Sequence, residues 1–152
     1  MTSLDRPGAV PPPDGSPDPG VPWHYGDPHR EQRGLVAGIG AVDLSDRGVI
    51  TVTGADRLTW LNDLTTQLVN SLAAGQSSLA LILSPHGHVE HELHLADDGS
   101  TTWIVTPPGA ATALAEYLRS MQFMLRVEVA DVTSEYAVVW EPALETDPEY
   151  PT

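Results

Sequence analysis

Between Gly48 and Trp140 the apolar positions follow two periods in turn, one of two residues and one near 3.6. Gly48-Val-Ile-Thr-Val-Thr53 alternates, with Ile50 and Val52 on one face, and reads as a strand. Thr53-Gly-Ala-Asp56 has the spacing of a capping box, with Asp56 in place of the usual Glu. Leu58, Leu61, Leu64, Thr65 and Leu68 then recur at helical spacing beside Trp60, which predicts a core helix over 55–68. After a turn at Leu72–Gln76, the stretch Leu79–Leu95 runs apolar, breaks at Ser84-Pro85-His86-Gly87, and resumes in alternation. Proline second and glycine fourth suit a type I turn, so the stretch predicts a β-hairpin. A further strand, Thr101–Thr106, follows the tight turn Asp97–Ser100. Thr106-Pro107 has the form of an N-cap with proline at the first helical position. Ala110, Ala113, Leu114, Tyr117, Leu118 and Met121 make the stripe of a second helix. Arg126–Val132 and Tyr136–Trp140 predict two last strands joined by a short polar turn.

Strand, helix, three strands, helix and two strands describe an α+β arrangement, an antiparallel sheet with helices packed on it. The final pair of strands looks like the opening of a unit that the chain does not complete. Its unpaired sheet edges invite cover by a missing C-terminal half, by a partner, or by self-association. Residues 1–33 read as a flexible Pro/Gly-rich tail and linker, residues 34–141 as the ordered domain, and residues 142–152 as a disordered acidic tail. Within the linker, Trp23-His-Tyr-Gly-Asp-Pro28 sets two aromatics beside a turn, to cap the domain's own core or to dock on something else. Glu31–Gly40 is a short helical or coiled connector.

A length of 152 residues suits one domain with a real core. A net charge of −14 with only seven basic residues argues against a nucleic-acid surface, which needs clustered Lys and Arg. No apolar run has the length of a membrane span, and the N-terminus lacks the regions of a signal peptide. The absence of cysteine removes disulfides, thiolate metal sites and a Cys nucleophile, and is consistent with a reducing cytoplasm.

The hairpin is the chemically richest stretch, with four histidines and two glutamates between His86 and His94. On a strand His88, Glu90, Glu92 and His94 share one face, and Val89, His91, Leu93 and Leu95 share the other. His88 and His94 would stand about 20 Å apart, too far to share one ion, so no metal site is expected. Ser84 beside His86 lacks an orienting acid and makes no triad. Glu90 and Glu92 are a carboxylate pair on one face, of the kind solvated strands also carry. His91 interrupts an apolar face. It is either a satisfied semi-core residue or part of a pocket with Glu92.

Ala41-Val-Asp-Leu-Ser45, Val52-Thr-Gly-Ala-Asp56, Trp60-Leu61, Leu72-Ala-Ala-Gly-Gln76 and Gly87-His-Val-Glu-His-Glu-Leu93 occur in this order. The series resembles the first half of the folate-binding domain shared by the YgfZ family and the glycine-cleavage T-protein (aminomethyltransferase). The resemblance spans residues 34–140. It implies the aminomethyltransferase folate-binding fold, here one strand-helix-three-strand-helix unit plus the first strands of the next. It also implies a tetrahydrofolate bound in a central channel. Glu92 would contact the folate amino groups, with His91 and Thr66 as further pocket positions and no catalytic residue assigned. The T-protein's Asp-Asp pair falls on His91-Glu92, its pterin-site tyrosine on Leu79, and an Asp after the first helix on Leu68. The Cys-containing YgfZ signature of the second half is absent, so the chain is expected to be a truncated form. The YgfZ-like branch implies iron–sulfur cluster assembly or repair, with iron–sulfur proteins as partners. The alternatives are a folate-dependent aminomethyltransferase-like enzyme and a non-catalytic interaction domain.

Overall fold

The computed structural model describes residues 3–142. Its elements, after a 3-10 turn at Ser3–Asp5, are α1 (Pro28–Val36), β1 (Val42–Asp43), β2 (Gly48–Thr53), α2 (Arg57–Leu64), β3 (Ser77–Leu83), β4 (Val89–Asp97), β5 (Thr101–Thr106), α3 (Ala111–Ser120), β6 (Glu128–Asp131) and β7 (Val139–Trp140). They divide into two compact units, one spanning Arg47–Tyr136 and the other made of the residues on either side. The larger unit is narrower than the 34–141 domain expected from the sequence.

In the larger unit, five antiparallel strands lie in the order β3-β4-β5-β2-β6. Register places Ile50 opposite Ile104, Leu95 opposite Ile104, and Ala80 opposite Leu93, so the apolar members of each alternation meet on one face. That face receives Trp60 and Leu61 from α2 and Ala111, Leu114, Ala115 and Leu118 from α3, all buried. Each fully buried leucine contributes about 1.5–3 kcal/mol, which makes this face the main source of cohesion. The Trp60 indole N–H also donates to the Met121 carbonyl, tying the end of α3 to α2. The α+β order expected from the pattern is the order found.

Several boundaries differ from the expectation, for local reasons. α2 ends at Leu64, not 68, because Thr65 is already extended (ψ 166°). The Asn62 carboxamide oxygen accepts from the N–H groups of Val69 and Asn70, and so turns the chain. Val69 is buried in place of Leu68, which is 73% exposed. No capping box forms at Thr53–Asp56. Asp56 is itself the residue before the helix, and its carboxylate is turned to the guanidinium and N–H of Arg126. Thr106 does not cap α3 but ends β5, donating its hydroxyl to the Glu92 carbonyl. A turn through Pro107, Pro108 and Gly109 (φ 76°) delays the helix to Ala111; its buried face is Ala111, Leu114, Ala115 and Leu118, with Ala113 exposed. The last two strands do not pair with each other. β6 joins β2, while β7 pairs with β1 in a separate two-stranded sheet.

In the smaller unit, composition had predicted tail and linker up to residue 33. There Val10 and His24 form an antiparallel bridge, and Val21 is buried. α1 begins at Pro28, capped by the Asp27 carboxylate on the Arg30 N–H. The Glu31 carboxylate reaches back to the N–H groups of Tyr25 and Asp27, much as in a capping box. The expected acidic tail from residue 143 lies outside the described residues.

Candidate functional site

The β3–β4 hairpin is closed by hydrogen bonds from the Ser84 N–H to the His88 carbonyl (2.8 Å) and from the Gly87 N–H to the Ser84 carbonyl (2.9 Å). Gly87 sits at φ 82°, a conformation that glycine takes without steric cost. The Ser84 hydroxyl accepts from the N–H groups of His86 and His88, which is a structural role for the serine beside the histidine. Just inside the turn the register slips. Leu83 pairs with Val89 but Ile82 with His91, which leaves Glu90 as the extra residue of a bulge. Val89, expected on the apolar face, is consequently exposed.

Beyond the bulge the alternation is strict. His91, Leu93, Leu95 and Asp97 face the helices, whereas Glu92, His94 and Ala96 face the other way. His91 and Glu92 therefore do not meet in one pocket. The His91 ring lies against Tyr117 of α3, with centroids 5.6 Å apart. Burial pushes its pKa below the ordinary histidine value, and the Glu90 carboxylate opposes this only in part. The imidazole is thus a half-buried, neutral member of the core edge.

Glu92 is the accessible acid. Its side chain is 43% exposed, and Oε1 lies 3.0 Å from Nε2 of His94, itself 53% exposed. Leu81 is its register partner on β3. On the far side of Leu81 lies Thr66, whose N–H donates to the Leu81 carbonyl and whose hydroxyl accepts from the Leu81 N–H. Thr66 therefore covers the outer edge of β3, two strand spacings, or roughly 10 Å, from Glu92. The structure brings Thr66 and Glu92 to the same stretch of sheet and sets His91 on the reverse side. Among the described residues no cluster of three or more His, Cys, Asp or Glu is arranged to hold a metal ion.

Sequence reasoning passed over an aromatic pair further along the sheet face that carries Glu92. Trp103 is the register partner of Ala96, on the face that carries Glu92 and His94. The Asp98 carboxylate accepts from its indole N–H at 2.9 Å, and the Tyr136 ring meets it edge-on at 5.0 Å. The Trp103 indole, helped by the N–H groups of Ser100 and Thr101 and the Ser100 hydroxyl, holds the Asp98 carboxyl far below the usual carboxylate range. The available signal was the register offset through Asp97–Ser100, which puts Trp103 on the face of His94.

The GCVT N-terminal domain family matches residues 20–140. The chain belongs to that family. This GCVT-type chain is similar to a protein of Natronomonas pharaonis named "Probable aminomethyltransferase", 30% identical over 123 residues, or 78% of this chain and 34% of that protein. It is also similar to the crystal structure of the glycine cleavage system aminomethyltransferase T from Bartonella henselae. There the TM-score is 0.68 at 22% identity, over 83% of this chain and 35% of that one. At that identity the likeness carries the fold, an α+β arrangement of the T-protein type. The chain spans about a third of the length of both relatives. No helix among the described residues is long and apolar enough to cross a membrane.

Proposed function

We propose that this chain supplies the first part of a reduced-folate-binding module of the aminomethyltransferase type, with Glu92 as the group that contacts the folate. The observation that carries the reading is the Glu92 carboxylate, half exposed on the sheet face opposite α2 and α3. An ionised carboxylate there can accept paired hydrogen bonds from the amino and ring N–H groups of a pterin. Thr66 lies beyond Leu81 at the β3 edge, and the Trp103–Tyr136 pair stands about 13 Å further along the Glu92 face. These donors and acceptors fit a tetrahydrofolate, which when bound supplies the nitrogens that carry a one-carbon unit.

Within this reading we favour the YgfZ-like form, a folate-binding role in iron–sulfur protein maintenance. Its support is the environment of His91. At the place of the T-protein's first acid stands an imidazole that burial keeps neutral against Tyr117, so no second carboxylate is offered to a cationic reacting amine. The aminomethyltransferase reading is the alternative, favoured by the name of the Natronomonas pharaonis relative.

Isothermal titration with tetrahydrofolate tests the proposal. Saturable heat is expected, weakened about tenfold or more in Glu92→Gln, since a hydrogen bond to a charged group contributes about 1.5–3 kcal/mol. A well-folded chain that gives no heat would eliminate folate binding by this chain.

A further inference from the structure

We propose that the smaller unit holds a binding cavity for a small organic cation, a methyl-substituted ammonium headgroup, lined by the aromatic side chains of Trp23 and Tyr25 and by the carboxylates of Asp27, Glu31 and Asp43. The cavity measures about 470 Å³. Trp23 and Tyr25 line it together with Leu35 and Ile39, and Trp23 is 67% exposed. The Trp23 ring is steadied from the side by His24, at 5.4 Å between centroids, so its π face is presented in a defined place. A cation within about 6 Å of such a face is attracted by the ring quadrupole.

The charges point to the sign of the ligand. Asp27, Glu31 and Asp43 line the cavity against the single guanidinium of Arg30, so its wall is net negative. Each carboxylate is anchored by backbone N–H groups: Glu31 by Tyr25 and Asp27, Asp27 by Arg30, and Asp43 by Ser45. Asp27 and Glu31 are oriented by neutral donors alone and offer their charge to an incoming cation, whereas Asp43 also feels the Arg6 guanidinium. An aromatic anion would meet net repulsion, and a bare metal ion would find apolar walls where it needs oxygen ligands. A substituted ammonium satisfies both halves of the lining, its methyl groups against Trp23, Tyr25 and Ile39 and its charge toward the acids.

The site shares no residue with the folate reading, so the two stand or fall separately. Calorimetric titration with choline, beside its neutral isostere 3,3-dimethyl-1-butanol, is the test. Choline is expected to bind, the isostere at least about tenfold more weakly, and Glu92→Gln to leave choline binding unchanged. Trp23→Leu should weaken choline about two- to fivefold, as expected for a lost cation–π contact at an exposed ring. Arg30→Gln, read with circular dichroism to show that the chain remains folded, should tighten it severalfold. Equal binding of the isostere, or an Arg30→Gln protein that binds choline no better than the wild type, would overturn the proposal.

Discussion

Asp97 is a single carboxylate on which α2, the β4–β5 turn and β5 converge. Its oxygens accept from Arg57 Nε at 3.0 Å and Nη2 at 2.9 Å, from the Thr102 hydroxyl at 2.6 Å and from the Gly99 N–H at 2.9 Å. The side chains of Arg57 and Asp97 are 12% and 1% exposed, so solvent screens this pair far less than a surface ion pair. Asp97→Ala would leave a guanidinium, a buried hydroxyl and an amide without their acceptor. Removing one member of a buried pair costs about 3–5 kcal/mol, because the other charge stays desolvated and unmatched. For a unit of this size roughly 4–8 °C of Tm accompanies each kcal/mol, so a fall of at least about 12 °C is expected in thermal unfolding followed by circular dichroism. Replacing both partners, Arg57→Met with Asp97→Leu, should recover much of the loss, since no buried charge is then stranded.

The same site predicts a pH dependence. Burial by itself would raise the Asp97 carboxyl, but the hydrogen bonds from Arg57, Thr102 and Gly99 outweigh it and hold the pKa below the ordinary carboxylate value. A carboxyl depressed in the folded state stabilises fully above its unfolded pKa of about 3.9, and that contribution is lost as the pH falls through the folded value. The gap between wild type and Asp97→Ala should therefore be constant from pH 7 to 5 and close only under pH 4. An Asp97→Ala protein within about 1 kcal/mol of wild type at neutral pH would refute the reasoning, as would a double-mutant cycle with no coupling between positions 57 and 97.

Two other perturbations have directions set by the structure. Gly54 sits at φ 109°, and a Cβ there would lie 1.9 Å from the Arg126 carbonyl oxygen; Gly54→Ala should destabilise by more than about 1–3 kcal/mol in urea unfolding, through overpacking and backbone strain together. His91 has its pKa lowered by burial, so the unfolded chain takes up its proton first and stability should fall as the pH drops below about 6.5; His91→Phe, which keeps a ring against Tyr117, should flatten thermal stability between pH 7 and 5.

The parts legible in the sequence were those with a period. Ile50 and Val52, or Leu93 and Leu95, announce their face because a strand repeats every second residue, and the α+β order follows from such runs. Places where one polar side chain overrides a period were not legible. Leu68 fits the helical stripe, yet Asn62 has already bent the chain away, and no spacing rule registers a carboxamide that accepts from residues seven and eight positions on. Thr106-Pro107 reads as a cap until the turn at Gly109 is known. Arg57 and Asp97 lie 40 residues apart and carry no periodic signal at all. The motifs behind the family resemblance prove largely structural. Gly54 and Asp56 of Val52-Thr-Gly-Ala-Asp56 receive the chain entering β6 at Arg126, and Gly75 and Gln76 bond Asp97 at the end of β4. A series of motifs can therefore identify the fold with confidence and still say little about the ligand.

The alternation on β4 divides the two kinds of evidence between its two faces. Leu93, Leu95 and Asp97 point to the helices, and substitutions there act through stability. Glu92 and His94 point away, bond mainly each other, and contribute little to cohesion, because an exposed pair of this kind is worth at most about 1 kcal/mol. Glu92→Gln should therefore unfold within about 0.5 kcal/mol of wild type, the usual range for a surface change. That separation is what makes its effect on folate binding interpretable. If Glu92→Gln lost both stability and binding, the carboxylate would belong to the scaffold with Asp97, and the face would have to recognise its ligand through Thr66 and Trp103 instead.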